Sequence, residues 1–229
     1  MLILAAHTAT SRLGIAVTKN GQIISEEILP SSREHLENII SAIEKVVFDA
    51  DIELDNIEGL GIAIGPGSFS GIRVGLSVFK GLAMALNVDV AGISTLEILT
   101  WQAVDTGSLA IPLIDAGRGE VYTGIFKKLT NNVEIIQAPR LLARNEIASF
   151  VSANYRTQIT LCGTQDLLDM VDKKIISPRK MITTASPGVC GILAEPRLNN
   201  GLHDNIHKLI PLYIRRSDAE EKQHTNSFF

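Results

Sequence analysis

Apolar runs at the start of the chain are broken by polar turns at the spacing of short strands. Leu2–Ala6 is one run, Leu13–Thr18 a second, rich in Ile and Val, and Ile23–Leu29 a third. Asn20-Gly21 separates the last two and is a strong hairpin signal, because both residues tolerate positive φ. A three-stranded meander is the expectation. The period then changes. Leu36, Ile39, Ile40, Ile43, Val46 and Val47 recur at helical spacing to about Ala50, and Ser31-Ser32-Arg33-Glu34 ahead of them reads as a capping box. Leu60–Ile64 predicts a strand, Ile72–Leu86 a second helix, Val90–Ile93 a strand, and Ser94 caps a third helix through Val104. Asp105-Thr106-Gly107-Ser108 is a turn and a candidate lobe boundary. Strands resume at Leu109–Ile114, Glu120–Lys128 and Val133–Ala138. A helix near Glu146–Ser152, a strand Gln158–Cys162 and a helix Gln165–Val171 follow, and Ser186-Pro187 opens a helix to about Glu195. The pattern predicts an α/β protein of mixed sheets flanked by helices. Two lobes, 1–105 and 106–229, each open with a meander, as in a duplicated fold.

Composition narrows this picture. The 229 residues are 45% hydrophobic and 20% charged, which excludes a disordered chain and leaves enough apolar surface for a full core. No apolar run reaches the ~18 residues of a membrane helix, and the first residues have no basic segment of a secretory signal. Two cysteines, Cys162 and Cys190, stand at no metal-ligand spacing, fit a reducing cytoplasm and read as packing thiols. The first 105 residues hold 13 acidic and 6 basic side chains, the remainder 12 and 15. Neither half is basic enough to grip nucleic acid on its own.

The candidate chemistry gathers around Gly65-Pro66-Gly67-Ser68-Phe69-Ser70-Gly71. A glycine loop between strand and helix could cradle a phosphate. The stretch lacks the lysine of a Walker loop, the third glycine of a dinucleotide fingerprint and the central serine of a nucleophile elbow. The other reading is a tight connection whose glycines permit special φ and close packing. His203-Asp204-Asn205-Ile206-His207 has H-x-x-x-H spacing, but it lies in a polar segment near the end. No Ser/His/Asp order and no carboxylate pair stands out, so neither a metal nor a cofactor is expected.

Gly65 to Gly75, reading G-P-G-S-F-S-G-I-R-V-G, resembles the signature of the TsaB (YeaZ) family, which serves bacterial threonylcarbamoylation of adenosine 37 in tRNA. Arg33-Glu34-His35, Ser94-Thr95-Leu96, Gly119-Glu120-Val121-Tyr122 and Pro211-Leu212-Tyr213-Ile214-Arg215 resemble further family segments, in order along nearly the whole chain. The resemblance implies an ASKHA-like, actin- and hexokinase-like two-lobe fold. It also implies a scaffold and activator rather than an enzyme, partnered with the TsaD transferase and the TsaE ATPase. A homodimer of the free chain and tRNA contact through the complex are compatible with the resemblance, which leaves the free oligomeric state and any direct tRNA contact open. Related enzymes place an acid at the end of the first strand, where this chain has His7-Thr8-Ala9-Thr10. An imidazole cannot replace a carboxylate around Mg²⁺. The second loop, Asp115-Ala116-Gly117-Arg118-Gly119, also departs from the family's D-A-R-x-G, and Asp115 is expected to cap its turn. The alternative of the same fold is an ATP-dependent small-molecule kinase, which would bind ATP–Mg²⁺ alone.

The second helix carries more apolar surface than one sheet face uses. Its polar side is limited to Arg73, Ser77, Lys80 and Met84. Apolar and small residues sweep ~220° of its circumference, where a stripe of ~100° would suffice. Leu82 and Gly75 at the centre of the arc are expected to face the sheet. The edge with Val74 and Val78, beside Gly81 and Ala85, is expected to meet a partner, with the opposite edge at Ile72 and Leu76 as the alternative. Because the family pairs through its first two helices, His35 and Ile39 join Val74 and Val78 as candidate interface residues. Gly65, Gly67, Gly71 and Gly75 are candidates for a structural turn.

Overall fold

The computed structural model describes residues 1–30, 35–154, 159–170, 179–182 and 184–215. The expected meander forms as β1 (Leu2–His7), β2 (Arg12–Lys19) and β3 (Gln22–Pro30). Its hairpin turns on Asn20 and Gly21, at φ 51° and 74°. Then come α1 (His35–Asp49), β4 (Gly59–Gly65), α2 (Phe69–Leu86), β5 (Asp89–Ser94) and α3 (Thr95–Ala103). Ser94 caps α3, with Glu97 closing a capping box. The second half repeats the order: β6 (Leu109–Gly117), β7 (Glu120–Lys128), β8 (Val133–Ala143), α4 (Ile147–Asn154), β9 (Ile159–Gly163), α5 (Gln165–Leu168), β10 (Arg179–Ile182) and α6 (Pro187–Asn199). The capping box proposed at Ser31–Glu34 and the part of the helix expected beyond Met170 lie outside the described residues.

The two sheets share one topology. The first runs β3-β2-β1-β4-β5 and the second β10-β9-β6-β7-β8. In each, an antiparallel meander is extended by two parallel strands, β4 and β5 beside β1, β9 and β10 beside β6. Each sheet's helices hold equivalent places in the order. This is the duplicated ASKHA-like architecture.

Burial shows how the layers assemble. β1 is buried on both faces, so it reads as a continuous apolar run rather than an alternation. Leu2, Leu4 and Ala6 face α1 and α2, packing with Ile39, Ile43, Val46, Ile72, Leu76 and Phe79. Ile3 and Ala5 face the opposite way, into a core shared by both sheets with α3 and α6 between them. Helices α4 and α5 cover the far face of the second sheet through Ile147, Val151, Leu167 and Leu168. The middle layer is exchanged between the halves. α3 packs mainly on β6 and β7 of the second sheet, and α6 on β1, β4 and β2 of the first. A segment after α6 also returns to the first sheet, where Asp204 donates its N–H to Val90 O and Leu212 to Ile64 O, both at 2.8 Å.

α2 has the length and mean hydropathy (1.3) of a membrane-crossing helix. Its core face, however, is built into the first sheet, and six of its eighteen residues are buried.

Candidate functional site

The ends of β1 and β4, the β6–β7 hairpin and the closing segment surround a cleft of about 900 Å³. On one side the glycine turn is pressed against the loop after β1. Gly67 lies at φ 152°. A methyl group there would overlap the carbonyl of Ala9, and one on Gly71 would overlap that of Thr8. Gly75 lies against the Thr8 side chain, and Gly65, at φ 105°, begins the turn. Three of its backbone amides are used within the fold. Ser68 donates to Ala9 O at 2.6 Å and Ile72 to Ser68 O at 3.0 Å. Gly71 donates to Ser68 Oγ at 3.3 Å.

His7, at the position of the missing acid, is not on the cleft lining. It is 1% exposed, and its Nε2 has no hydrogen-bond partner. Burial lowers its pKa to about 4, so the ring is neutral. Asp115 does line the cleft. It accepts from Gly117 N–H and from Arg144 Nη2, each at 2.9 Å. Desolvation would raise its pKa, but the Gly117 and Arg144 bonds outweigh it and hold the carboxyl below its usual range. It therefore caps its turn, as the sequence suggested. His203 and His207 are exposed and lie outside any helix, so their spacing does not place them on one helical face. His203 Nδ1 is 3.5 Å from Asp89 Oδ2. Among the described residues, no group of three or more His, Cys, Asp or Glu side chains could hold a metal. Cys162 and Cys190 are buried, and burial pushes both thiols far up.

Sequence reasoning missed a cluster at the cleft mouth. Phe69 and Arg73 begin α2, and Tyr213 comes from the closing segment. The Arg73 guanidinium lies 3.7 Å over the Phe69 ring. Its Nε donates to Tyr213 Oη at 3.0 Å, and the two aromatic rings are 5.5 Å apart. Two residues on, Arg215 bonds Ala116 O and pairs with Glu120, which ties the segment to the β6–β7 hairpin. These residues belong to two quoted motifs, G-P-G-S-F-S-G-I-R and P-L-Y-I-R. Their meeting across 140 residues of sequence had no local signal.

The other candidate surface is the outer face of α1 and α2, which pack together. Phe48 is 83% exposed, Met84 67% and Ile40 50%; Gly81 and Ala85 are also open. Two expectations are corrected here. Ile39 is 1% exposed and faces the sheet, so the adjacent Ile40 holds the open position on α1. Leu82 is only half-buried; the sheet-facing line is Ile72, Leu76, Phe79 and Ala83, with Gly71 and Gly75. The ~220° apolar arc is wider than the stripe that enters the core, so its centre does not fix the rotation of the helix. The close approach of Gly71 and Gly75 to Thr8 sets it instead. Val74 and Val78 are half-buried at the margin of the core. His35 opens α1, and its side chain lies outside the described residues.

A family model described as TsaD: tRNA N6-adenosine threonylcarbamoyltransferase matches residues 22–223. The chain is similar to the tRNA threonylcarbamoyladenosine biosynthesis protein TsaB of Bacillus subtilis, 26% identical over 227 residues, 97% of each chain. It is 31% identical to the protein of that name from Escherichia coli over 137 residues, 58% of each chain. Among solved structures, YeaZ from Pseudomonas aeruginosa superposes with a TM-score of 0.78 at 21% identity, covering 93% of this chain and 99% of that one. The ROK hexokinase of Thermus thermophilus has a TM-score of 0.53 at 12% identity, covering 86% and 100%, and shares the fold alone.

Proposed function

Because the chain belongs to the tRNA N6-adenosine threonylcarbamoyltransferase family, and within it to the TsaB (YeaZ) group, we propose that it is a non-catalytic subunit of tRNA threonylcarbamoyladenosine biosynthesis that binds the TsaD transferase and activates it. The observation that carries this reading is α2. It is a strongly apolar helix with only six of eighteen residues buried, beside an α1 that exposes Ile40 and Phe48. A solvent-facing helix normally turns charge outward. Here Arg73 is exposed near the start of the helix, but toward its end Met84, Gly81 and Ala85 face outward, and the two small residues admit a partner backbone closely. The same face would close on a second copy when TsaD is absent. TsaE joins through the assembled pair. A kinase reading is less well supported, since His7 is buried and neutral where a metal-binding acid would stand, and the glycine-turn amides at Ser68, Gly71 and Ile72 are already bonded.

The test is co-purification with TsaD and a threonylcarbamoyl-transfer assay with and without this chain. Met84→Glu sharpens it. The free chain leaves that position open to water, so stability should change by no more than about 0.5 kcal/mol. In the complex an unpaired carboxylate would be desolvated, and affinity should fall roughly 100-fold or more. Wild-type affinity in Met84→Glu would remove α2 from the interface, and transfer by TsaD at full rate without this chain would remove the activator role.

A further inference from the structure

A carboxylate without a partner stands in the face formed by α1 and α2. Helix α1 packs on β2 and β3 along one flank and beside α2 along the other. Ile39, Ala42, Ile43 and Val46 enter the core under it. Toward β3 its charges are matched, since Lys45 Nζ pairs with Glu27 at 3.0 Å and with Asp49 at 2.8 Å. The opposite flank carries Ile40, Glu44 and Phe48, all exposed. Steps of four residues place these three in one row along the helix. Glu44 therefore stands between two open apolar side chains, and it makes no hydrogen bond or ion pair with any described residue. The nearest cation along the chain, Lys45, is committed to the other flank. On α2, Arg73 is held at the cleft mouth by Phe69 and Tyr213.

A chain that covers Ile40 and Phe48 takes Glu44 out of water with them. An ion desolvated without a counter-charge opposes association strongly, whereas a well-placed opposite charge offsets that cost. We infer that Glu44 selects the partner: the surface that docks on α1 and α2 is apolar and carries one lysine or arginine placed to pair with this carboxylate. The inference rests on the docking reading above and adds to it the residue that decides which chain can dock. A second copy meets the requirement poorly, because a two-fold contact through this face brings in a second Glu44. The half of the chain that bears the face holds 13 acidic and 6 basic side chains, so its field also draws a basic surface toward it.

Titration calorimetry of the full chain with TsaD, at low and at high salt, tests this. Wild-type affinity should fall as salt rises. Glu44→Gln keeps the shape but leaves the partner's cation without its counter-charge, and should weaken binding roughly tenfold or more with a smaller salt dependence. Glu44→Lys sets like charges together and should weaken it roughly 100-fold or more. Glu134→Gln removes an exposed carboxylate on β8, away from the face, and should stay within about twofold of wild type. Glu44 has no contact to lose in the free chain, so the variants should melt with wild type, which separates a lost interface from a lost fold. Glu44→Gln binding as tightly as wild type or tighter would overturn the inference. So would an unchanged salt dependence, or a loss seen in self-association of the chain and not with TsaD. Met84→Glu tells this failure from failure of the docking face. If it loses affinity while Glu44→Gln does not, the face stands and the pairing falls; if Met84→Glu binds normally, both fall together.

Discussion

Lowering the pH should unfold this protein partly through one side chain, His7. The ring is 1% exposed at the end of β1, and burial holds its pKa at about 4 against an ordinary 6.5. Above pH 6.5 the ring is neutral in both folded and unfolded chains, and its contribution is fully present. Between 6.5 and 4 the unfolded chain takes up a proton that the folded chain refuses, so stability falls as pH falls. One pKa unit corresponds to about 1.4 kcal/mol, which makes the loss about 2 kcal/mol by pH 5 and about 3 kcal/mol once pH has dropped through 4. That is a large share of the 5–15 kcal/mol typical of a domain. Carboxylates titrate over part of the same range, so the assay compares wild type with His7→Phe. Phenylalanine keeps a ring and removes the proton site. It also removes an Nε2 without a partner, so at pH 8 the variant should be about as stable as wild type. Urea denaturation followed by circular dichroism at pH 8, 6, 5 and 4 gives the difference directly. A difference that stays constant within about 0.5 kcal/mol between pH 8 and pH 5 would refute the burial argument.

Gly67→Ala should cost roughly 2 kcal/mol or more, because φ 152° suits glycine and the added methyl meets backbone at Ala9, which cannot turn aside. A thermal melt checks this, and unchanged stability would mean that the loop after β1 gives way. A fragment of residues 1–105 should fail to fold, since Val189, Cys190, Leu193, Ala194 and Leu198 of α6 cover the inner face of the first sheet; circular dichroism and amide exchange of the fragment test it, and a cooperative melt would show that α1 and α2 suffice.

What the sequence revealed was set by local chemistry. Asn20-Gly21, Ser94 and Ser186-Pro187 each fix a turn or a helix start within a few residues, and each forms as expected, with Glu97 adding an unforeseen capping box at Ser94. Boundaries that depend on distant partners were less legible. β10 escaped notice because it is four residues long and is defined by its pairing with β9. Helix α6 runs past its expected end at Glu195, through Pro196 to Asn199. A proline in the last turns breaks little there, and the Asn200 amide donates to its carbonyl at 2.7 Å. The glycine turn could be read as a special turn from its composition. That its glycines make room for the carbonyls of Thr8 and Ala9 required the fold. Phe69 and Tyr213 stood in quoted motifs, but nothing local says that residues so far apart share one rim.

α2 connects the cleft mouth to the open outer face. Its first residue, Phe69, reaches the cleft mouth, and Met84, fifteen residues on, lies on the open outer face. At 1.5 Å per residue the two are about 22 Å apart along the axis. Between them the helix cannot roll freely. Gly71 and Gly75 abut Thr8, and Ile72, Leu76 and Phe79 are set into the sheet. A partner seated at Met84 would therefore be held in one fixed relation to the cleft mouth by a single rigid element. A partner-induced shift of the rod would reach the cleft through the contacts of Arg73 with Phe69 and Tyr213. Glycine at those helix positions thus serves orientation as well as packing. It sets which apolar stripe enters the core and which is left for another chain.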